Sequence, residues 1–241
     1  MIKIFLTIAL VFGIVRISNA NPIDDKLPNV VNGNAPIIAD TLNKVYLIKS
    51  KYAILYNIQT KTPVYVVEHL KINDIECLTK RSNYFRSDRS LPLKDRSQTA
   101  DYAPFSKIYD KGHLVPADDS KQSDKIMKES FLLSNIVPQN IGNNRGIWKC
   151  AEDIVRKDIR EGGDVYVISG TIYLPGYRTI GINKVGVPDY LYKIIYNKKT
   201  GNCIVFKFPN KNLPKSELMK DTISVSELEK ITGIKYFPSL K

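Results

Sequence analysis

Cysteine, histidine and tryptophan are scarce in this 241-residue chain, which has three, two and one of them. Three cysteines permit at most one internal disulfide. With no CxxC pair and no neighbouring histidine they exclude a disulfide-stapled scaffold and a zinc site, so Cys77, Cys150 and Cys203 read as small buried apolar residues. Two histidines mean that an imidazole base working near neutral pH is either His69 or His113. Glycine and proline, at 13 each, are too few for a collagen-like or low-complexity chain. No apolar run approaches the roughly 20 residues of a bilayer-spanning helix, and neither an internal repeat nor a Gly/Ser or Pro linker divides the sequence.

What is present is enough apolar sequence for a core, 43% hydrophobic against 25% charged residues, and a marked excess of positive charge. The 36 Lys and Arg outnumber 24 Asp and Glu, for a formal charge of +12. Such a field attracts polyanions, with nucleic acid, anionic membrane and acidic polysaccharide as candidate partners. No strongly amphipathic basic helix favours the membrane. Residues 1–20 have the pattern of a cleavable leader. Lys3 precedes an apolar run from Ile4 to Val15, and Ser18-Asn19-Ala20 supplies small residues for cleavage. The expectation is an exported protein, periplasmic or secreted, without stable membrane insertion after cleavage. An extended segment over 21–43 and a single domain over 44–241 follow.

Within that domain, Tyr52 to Tyr56 and Pro63 to Leu70 flank a polar turn and predict a hairpin, as do Tyr190 to Tyr196 and Cys203 to Phe208. Lys71 to Asp110 is long, charged and aperiodic, as functional loops often are. Ile147, Trp148, Ala151, Ile154, Val155 and Ile159 recur at three- and four-residue spacing, predicting an amphipathic helix stopped by Gly162-Gly163. Val165 to Ser169 reads as a buried strand. Ser224 and Glu227 have the spacing of a capping box opening a helix that ends at Gly233. Hairpins and helices without a βαβ rhythm give an α+β class.

Two constellations stand out. His69 sits in an apolar strand pattern and reads as structural. His113 lies in Asp110-Lys111-Gly112-His113, which on its own fits either a polar turn or a functional loop. The second constellation is Ser134-Asn135-Ile136-Val137-Pro138-Gln139 followed by Asn144, Trp148, Glu152 and Arg156, which lie at steps of four along one side of the helix. On its own it fits a capping Asn and a Glu paired with Arg156 better than it fits a metal site. In a regular helix Asn144 and Glu152 are separated by about 12 Å of rise, whereas a Mg²⁺–oxygen bond spans about 2.1 Å. One ion held by Asn144 would therefore meet Glu152 only through coordinated water.

Together, in this order and spacing, the two constellations resemble the DNA/RNA non-specific endonuclease family, the ββα-metal nucleases of the Serratia-nuclease and endonuclease G kind. The family's Asp-Arg-Gly-His is matched by Asp110 to His113, and its Ser-Asn-Ile-x-Pro-Gln by Ser134 to Gln139. The later helix residues fall on Asn144, Trp148, Glu152 and Arg156. Weaker agreements are Tyr102, Ser169-Gly170, Val187-Pro188-Asp189-Tyr190 with Lys193, and Ser224 to Phe237. The chain departs from the family at Lys111, where Arg is usual; the charge survives but the bidentate fork is lost.

The resemblance implies a ββα-metal fold with a central antiparallel sheet flanked by helices. It also implies an enzyme that hydrolyses phosphodiester bonds of DNA and RNA, single- or double-stranded, to 5′-phosphate and 3′-hydroxyl ends. His113 would be the general base, Asn144 the direct ligand of Mg²⁺ or Mn²⁺, and Glu152 the residue holding the ion's water shell. Arg81 and Lys111, with Arg156, would bind phosphate. Asp110, Gly112, Gln139 and Trp148 would support the site, and a homodimer is the assembly common in the family. A base with an unperturbed pKa near ~6.5 would lose activity on acidification. The competing readings are a silent nucleic-acid-binding protein of the same fold, and a phosphodiesterase for small phosphoesters, which needs a tight apolar pocket.

The charge excess generates a first prediction. If the partner is nucleic acid, log affinity should fall linearly with log salt, with a slope of about −0.9 per duplex phosphate neutralised, and cleavage should fall with it. Flat cleavage rates from low to high ionic strength would exclude a phosphate-dominated interface.

Overall fold

The protein is described here by a computed structural model covering residues 36–237. The expected leader over residues 1–20 and the first part of the 21–43 segment lie outside the described residues. In chain order the elements are β1 (Ile37–Ile38), β2 (Lys44–Ile48), β3 (Tyr52–Asn57), β4 (Thr62–Leu70), α1 (Ile72–Ile75), α2 (Thr99–Tyr102), β5 (Tyr109–His113), α3 (Asp124–Ser130), β6 (Ile136–Asn140), α4 (Ile141–Asn143), α5 (Lys149–Arg160), β7 (Val165–Ile172), β8 (Thr179–Ile180), β9 (Val185–Gly186), β10 (Tyr190–Asn197), β11 (Cys203–Pro209), α6 (Val225–Thr232) and β12 (Ile234–Lys235).

Six strands form one antiparallel sheet in the order β11-β10-β7-β4-β3-β2. Its central strands are apolar on both faces, because successive side chains alternate between two cores. Val66, Val167, Leu191 and Ile195 point to one core, where they meet Ile147, Trp148, Ala151, Val155 and Ile159 from the long helix. Val67, Tyr166, Ile168, Tyr192 and Ile194 point to the other, closed by Leu228 of α6 with Ile234, Tyr236 and Phe237. The three- and four-residue spacing of Trp148, Ala151, Val155 and Ile159 is thus the stripe that seats α5 on the sheet. The result is an α+β architecture, a central antiparallel sheet with helices on both sides, as the sequence predicts.

Both hairpins form at the predicted places, and the strand predicted over 165–169 runs on to Ile172. α5 stops where the Gly162 and Gly163 amides bond back to the Ile159 and Asp158 carbonyls. Half of the predicted capping box is present: Ser224 Oγ accepts from the Glu227 amide, and Gly233 ends α6 in the left-handed conformation at φ 68°. Residues 71–108 are mostly irregular, with only short helical turns. The described part of the 21–43 segment is tied to the domain by the β1–β12 pairing and by a bond from Tyr65 Oη to the Pro36 carbonyl.

One expectation is corrected. The cysteines are not buried: Cys77 and Cys150 are partly exposed, Cys203 is exposed at the start of edge strand β11, and all three are free thiols. Cys77 follows α1, Cys150 lies in the first turn of α5 off its buried stripe, and Cys203 opens an edge strand. Among the described residues no helix is long and apolar enough to cross a membrane.

Ile159 is fully buried between α5 and the sheet. Ile159→Ala should cost about 2–5 kcal/mol, seen as a lower denaturation midpoint at unchanged slope. A loss under about 1 kcal/mol would mean that α5 is not seated as described.

Candidate active site

The site is built on a two-stranded unit set apart from the large sheet. β5 and β6 pair antiparallel, with Asp110 opposite Gln139, Lys111 opposite Pro138 and His113 opposite Ile136. Gly112 is required here: a Cβ would lie 2.1 Å from Gln139 Oε1 and 2.5 Å from its Cβ, so the glutamine lies across the bare glycine. Gln139 Nε2 in turn donates to Asn143 Oδ1 at 2.7 Å, joining the ladder to the chain that follows it.

That chain is helical but not regular. Asn144–Trp148 forms a widened π turn in which Gly146 leaves helical geometry (φ −107°, ψ −107°), between α4 and α5. The straight eight-residue rise expected between Asn144 and Glu152 is therefore interrupted, and widened turns of this kind recur at functional positions. Asp110 holds the turn. Its Oδ2 accepts from Asn144 Nδ2 at 2.8 Å and from Arg145 Nε at 2.9 Å, and its Oδ1 accepts from Arg145 Nη2 at 2.8 Å. With the amide nitrogen committed to Asp110, Asn144 Oδ1 accepts no hydrogen bond among the described residues. It is a hard oxygen donor of the kind that Mg²⁺ or Mn²⁺ takes. Among the described residues no three His, Cys, Asp or Glu side chains converge as a metal cluster; the oxygen donors lining the cleft are this amide and the carboxylates of Asp110, Asp118 and Glu152.

His113 ends β5 on the wall of the same cleft. Its ring packs against Phe85 and Phe131, at centroid distances of 5.3 and 4.7 Å, and its buried Nε2 has no hydrogen-bond partner. Burial first, and Arg81 second, push its pKa down to about 3, against a smaller upward pull from Asp118. The expectation of a base titrating near its ordinary value is corrected: in the free protein His113 is neutral far into the acid range. Trp148 Nε1 donates to the His113 carbonyl at 3.3 Å.

Arg81, Phe85, Asp110, Lys111, His113, Asp118, Asn144, Glu152 and Arg156 line one cleft of about 430 Å³. Gly112, Gln139 and Trp148 lie behind its wall. Arg81 stands over the Phe131 ring at 5.5 Å and Lys111 over the Phe85 ring at 5.2 Å, and neither has a carboxylate partner among the described residues. Both charges are free to meet an anion. Arg156 is not: it bonds Asp119 at 3.1 Å and Asp153 at 2.7 Å and approaches Glu152 at 3.8 Å. Beneath the cleft Glu68, Asp119 and Lys193 are buried, with Lys193 Nζ bonded to Ser169 Oγ at 2.6 Å and 4.4 Å from the Trp148 ring centroid. Burial pushes Glu152 up to about 7, against the downward pull of Lys193 and Arg156. It likewise raises Glu68 and Asp119 and lowers Lys193.

Three positioning residues have partners that the sequence did not reveal. Asp88, fully enclosed, accepts from Lys49, Ser90 and Ser134, each at 2.6 Å, and so ties the loop bearing Arg81 and Phe85 to the site. Asn135 brackets Val115 through its amide and carbonyl and also donates to the Ser130 carbonyl. Asp164 pairs with His69, whose ring stacks on Tyr166, confirming a structural histidine. Lys49 and Ser134 lie far from Asp88 in sequence, so their convergence on it leaves no local signal.

The profile described as DNA/RNA non-specific endonuclease matches residues 35–241. The mitochondrial nuclease EXOG of Xenopus laevis is 32% identical over 206 residues, 78% of this chain and 57% of that protein. Nuclease C1 of Cunninghamella echinulata is 30% identical, covering 81% of this chain and 83% of its own. A crystal structure of an EndoG/EndoGI complex superposes with a TM-score of 0.80 at 26% identity, over 90% of this chain and 93% of that one. The chain spans less than two thirds of the length of the EXOG proteins it matches.

These relatives correct the expected export. The matched EXOG proteins of frog, zebrafish, mouse and human, the yeast nuclease and human endonuclease G are mitochondrial, not exported. That expectation rests on the leader pattern of Lys3 and the apolar run to Val15 alone, which lies outside the described residues.

The depressed pKa of His113 has a direct consequence for stability. The unfolded chain takes up this proton near the ordinary 6.5 and the folded chain only near 3, so stability should fall as pH drops through that window. Imidazole NMR of the free protein should show the His113 ring still neutral at about pH 5, well below the ordinary histidine range. Titration near 6.5 would show that the ring is not enclosed.

Proposed function

The chain belongs to the DNA/RNA non-specific endonuclease family, and on that premise we propose that it is a metal-dependent endonuclease cutting DNA and RNA to 5′-phosphate and 3′-hydroxyl ends. One observation carries the reading. A neutral, enclosed His113 and an Asn144 amide oriented by Asp110 face one cleft, with two unpaired cations beside them. A single nuclease domain over 44–241, with the preceding strand docked on it, is the matching domain assignment.

A phosphodiester entering the cleft meets Arg81 and Lys111, which offset its charge. His113 accepts the proton of the attacking water; being neutral, it is available as a base across the physiological range. The bound phosphate anion beside it raises its basicity from the low value of the free site. Asn144 Oδ1 would hold Mg²⁺ or Mn²⁺, and Glu152 would hold the ion's water shell. When bound, such an ion supplies Lewis-acid stabilisation of the phosphoryl and leaving oxygens. Arg156 fixes the Glu152 carboxylate and the loop at Asp119, in place of the phosphate contact expected from the sequence. Contacts of this kind touch backbone and metal only, so they carry no sequence information.

The test is digestion of plasmid DNA and RNA with Mg²⁺ or with EDTA. Wild type should cut only with the metal, leaving ends that ligase can rejoin. His113→Ala should lower kcat by about 10²–10⁴-fold, and Asn144→Ala should abolish the metal response. A wild type that binds nucleic acid but cuts with no divalent ion would establish the silent-binder reading.

A further inference from the structure

A second groove of about 510 Å³ lies on the far side of Phe85, the one side chain shared with the catalytic cleft. Its walls carry Tyr84, Arg86, Arg89 and Arg96, and no carboxylate lines it. Among the described residues neither Arg86 nor Arg89 has a side-chain hydrogen bond or ion pair. Arg96 makes a single 3.4 Å bond to the Leu91 carbonyl and leaves its buried Nε without a partner. Asp88, between Ser87 and Arg89 on the same loop, is enclosed and accepts from Lys49, Ser90 and Ser134. Tyr84 is 71% exposed on the rim.

The groove is also rigidly placed. Arg86 exchanges backbone bonds with Phe131 and Leu133, so its guanidinium is carried on the strand-like edge that also holds the His113 pocket. Three guanidiniums left without anions, in a groove that shares its Phe85 wall with the catalytic cleft, are arranged for a polyanion that passes over both. Exposed Tyr84 adds what a duplex backbone does not need, an aromatic face on which an unpaired base can stack.

We propose that this groove is a strand-tracking subsite for single-stranded nucleic acid, in which Arg86, Arg89 and Arg96 bind phosphates flanking the scissile one and Tyr84 stacks a base. The proposal rests on the nuclease reading for its direction but not for its test. A strand entering from this side passes Phe85 before its phosphate reaches Lys111 and His113, so the groove selects segments that are already unpaired.

The experiment is fluorescence anisotropy of the full chain with an oligo(dT) of about 20 nucleotides and with a blunt duplex of the same length, in EDTA so that nothing is cut; both exceed the roughly 4–16 nucleotides that a single-strand groove covers. Parallel assays with Mg²⁺ follow hydrolysis of bis(p-nitrophenyl) phosphate, too small to reach the groove. Arg86→Ala with Arg89→Ala should reduce the salt slope for oligo(dT) by about 1.4, at about 0.7 for each phosphate that is no longer neutralised. Tyr84→Ala should weaken oligo(dT) binding roughly 5- to 100-fold while changing duplex binding little. Hydrolysis of the small diester should match wild type in all three substitutions. Unchanged oligo(dT) affinity and slope would overturn the subsite. Equal losses for duplex and single strand would overturn the single-strand assignment in favour of a duplex track. A wild type inactive on the small diester would overturn the nuclease reading instead, and the metal-free binding arm would still decide the groove.

Discussion

The site depends on the carboxylate of Asp110. It sits on β5, three residues before His113, and takes hydrogen bonds from Asn144 and Arg145 on the turn that opens the long helix. Together with the Trp148 Nε1 bond to the His113 carbonyl, these bonds fix the separation between His113 and Asn144. They also fix an orientation. An amide whose nitrogen is held by a carboxylate presents its oxygen in one direction, which is how an outer partner prepares a ligand for a cation. The bare face of Gly112 lets Gln139 close the ladder behind this arrangement.

Beneath that surface the chain buries charge rather than avoiding it. Glu68, Asp119, Arg156 and Lys193 are enclosed, and Glu152 is nearly so, between the helix and one face of the large sheet. Such groups do little for stability in themselves, since desolvation offsets their attraction, but removal of one strands the others and costs about 3–5 kcal/mol. Their value here is position. Arg156 is held by Asp119 on the loop after His113 and by Asp153 on its own helix, and it approaches Glu152. Lys193 reaches from β10 to the face of Trp148, whose indole N–H holds the His113 carbonyl. The sheet is thereby coupled to His113 through one aromatic ring.

Most of the framework was legible because periodicity is local. The spacing of Trp148, Ala151, Val155 and Ile159 is the buried stripe of α5, and both hairpins follow from apolar runs around polar turns. The candidate residues from Asp110 to Arg156 were legible as a pattern of types and intervals, and the fold brings them to one cleft or its wall. What escaped was set by contacts between distant residues. Nothing around Asp88 announces Lys49 and Ser134 as its partners. The neutrality of His113 arises from Phe85 and Phe131, remote from it in sequence. The widened turn at Gly146 breaks a helix that periodicity alone draws as continuous, and the exposure of Cys203 depends on β11 being an edge strand.

Lys111 shows how the departures and the shared plan fit together. Its ammonium lies over the Phe85 ring, beside an Arg81 that stands over Phe131, so both cations rest on the aromatic walls that also enclose His113. An arginine fork at this position would grip phosphate in a plane. A lysine acts as a point charge, with less geometric demand on the bound phosphate. On the proposed reading, orientation of a bound strand would then fall to groups farther along it, such as the guanidiniums beyond Phe85. The same phenyl ring therefore divides two tasks, enclosing His113 on one side and bordering the arginine groove on the other.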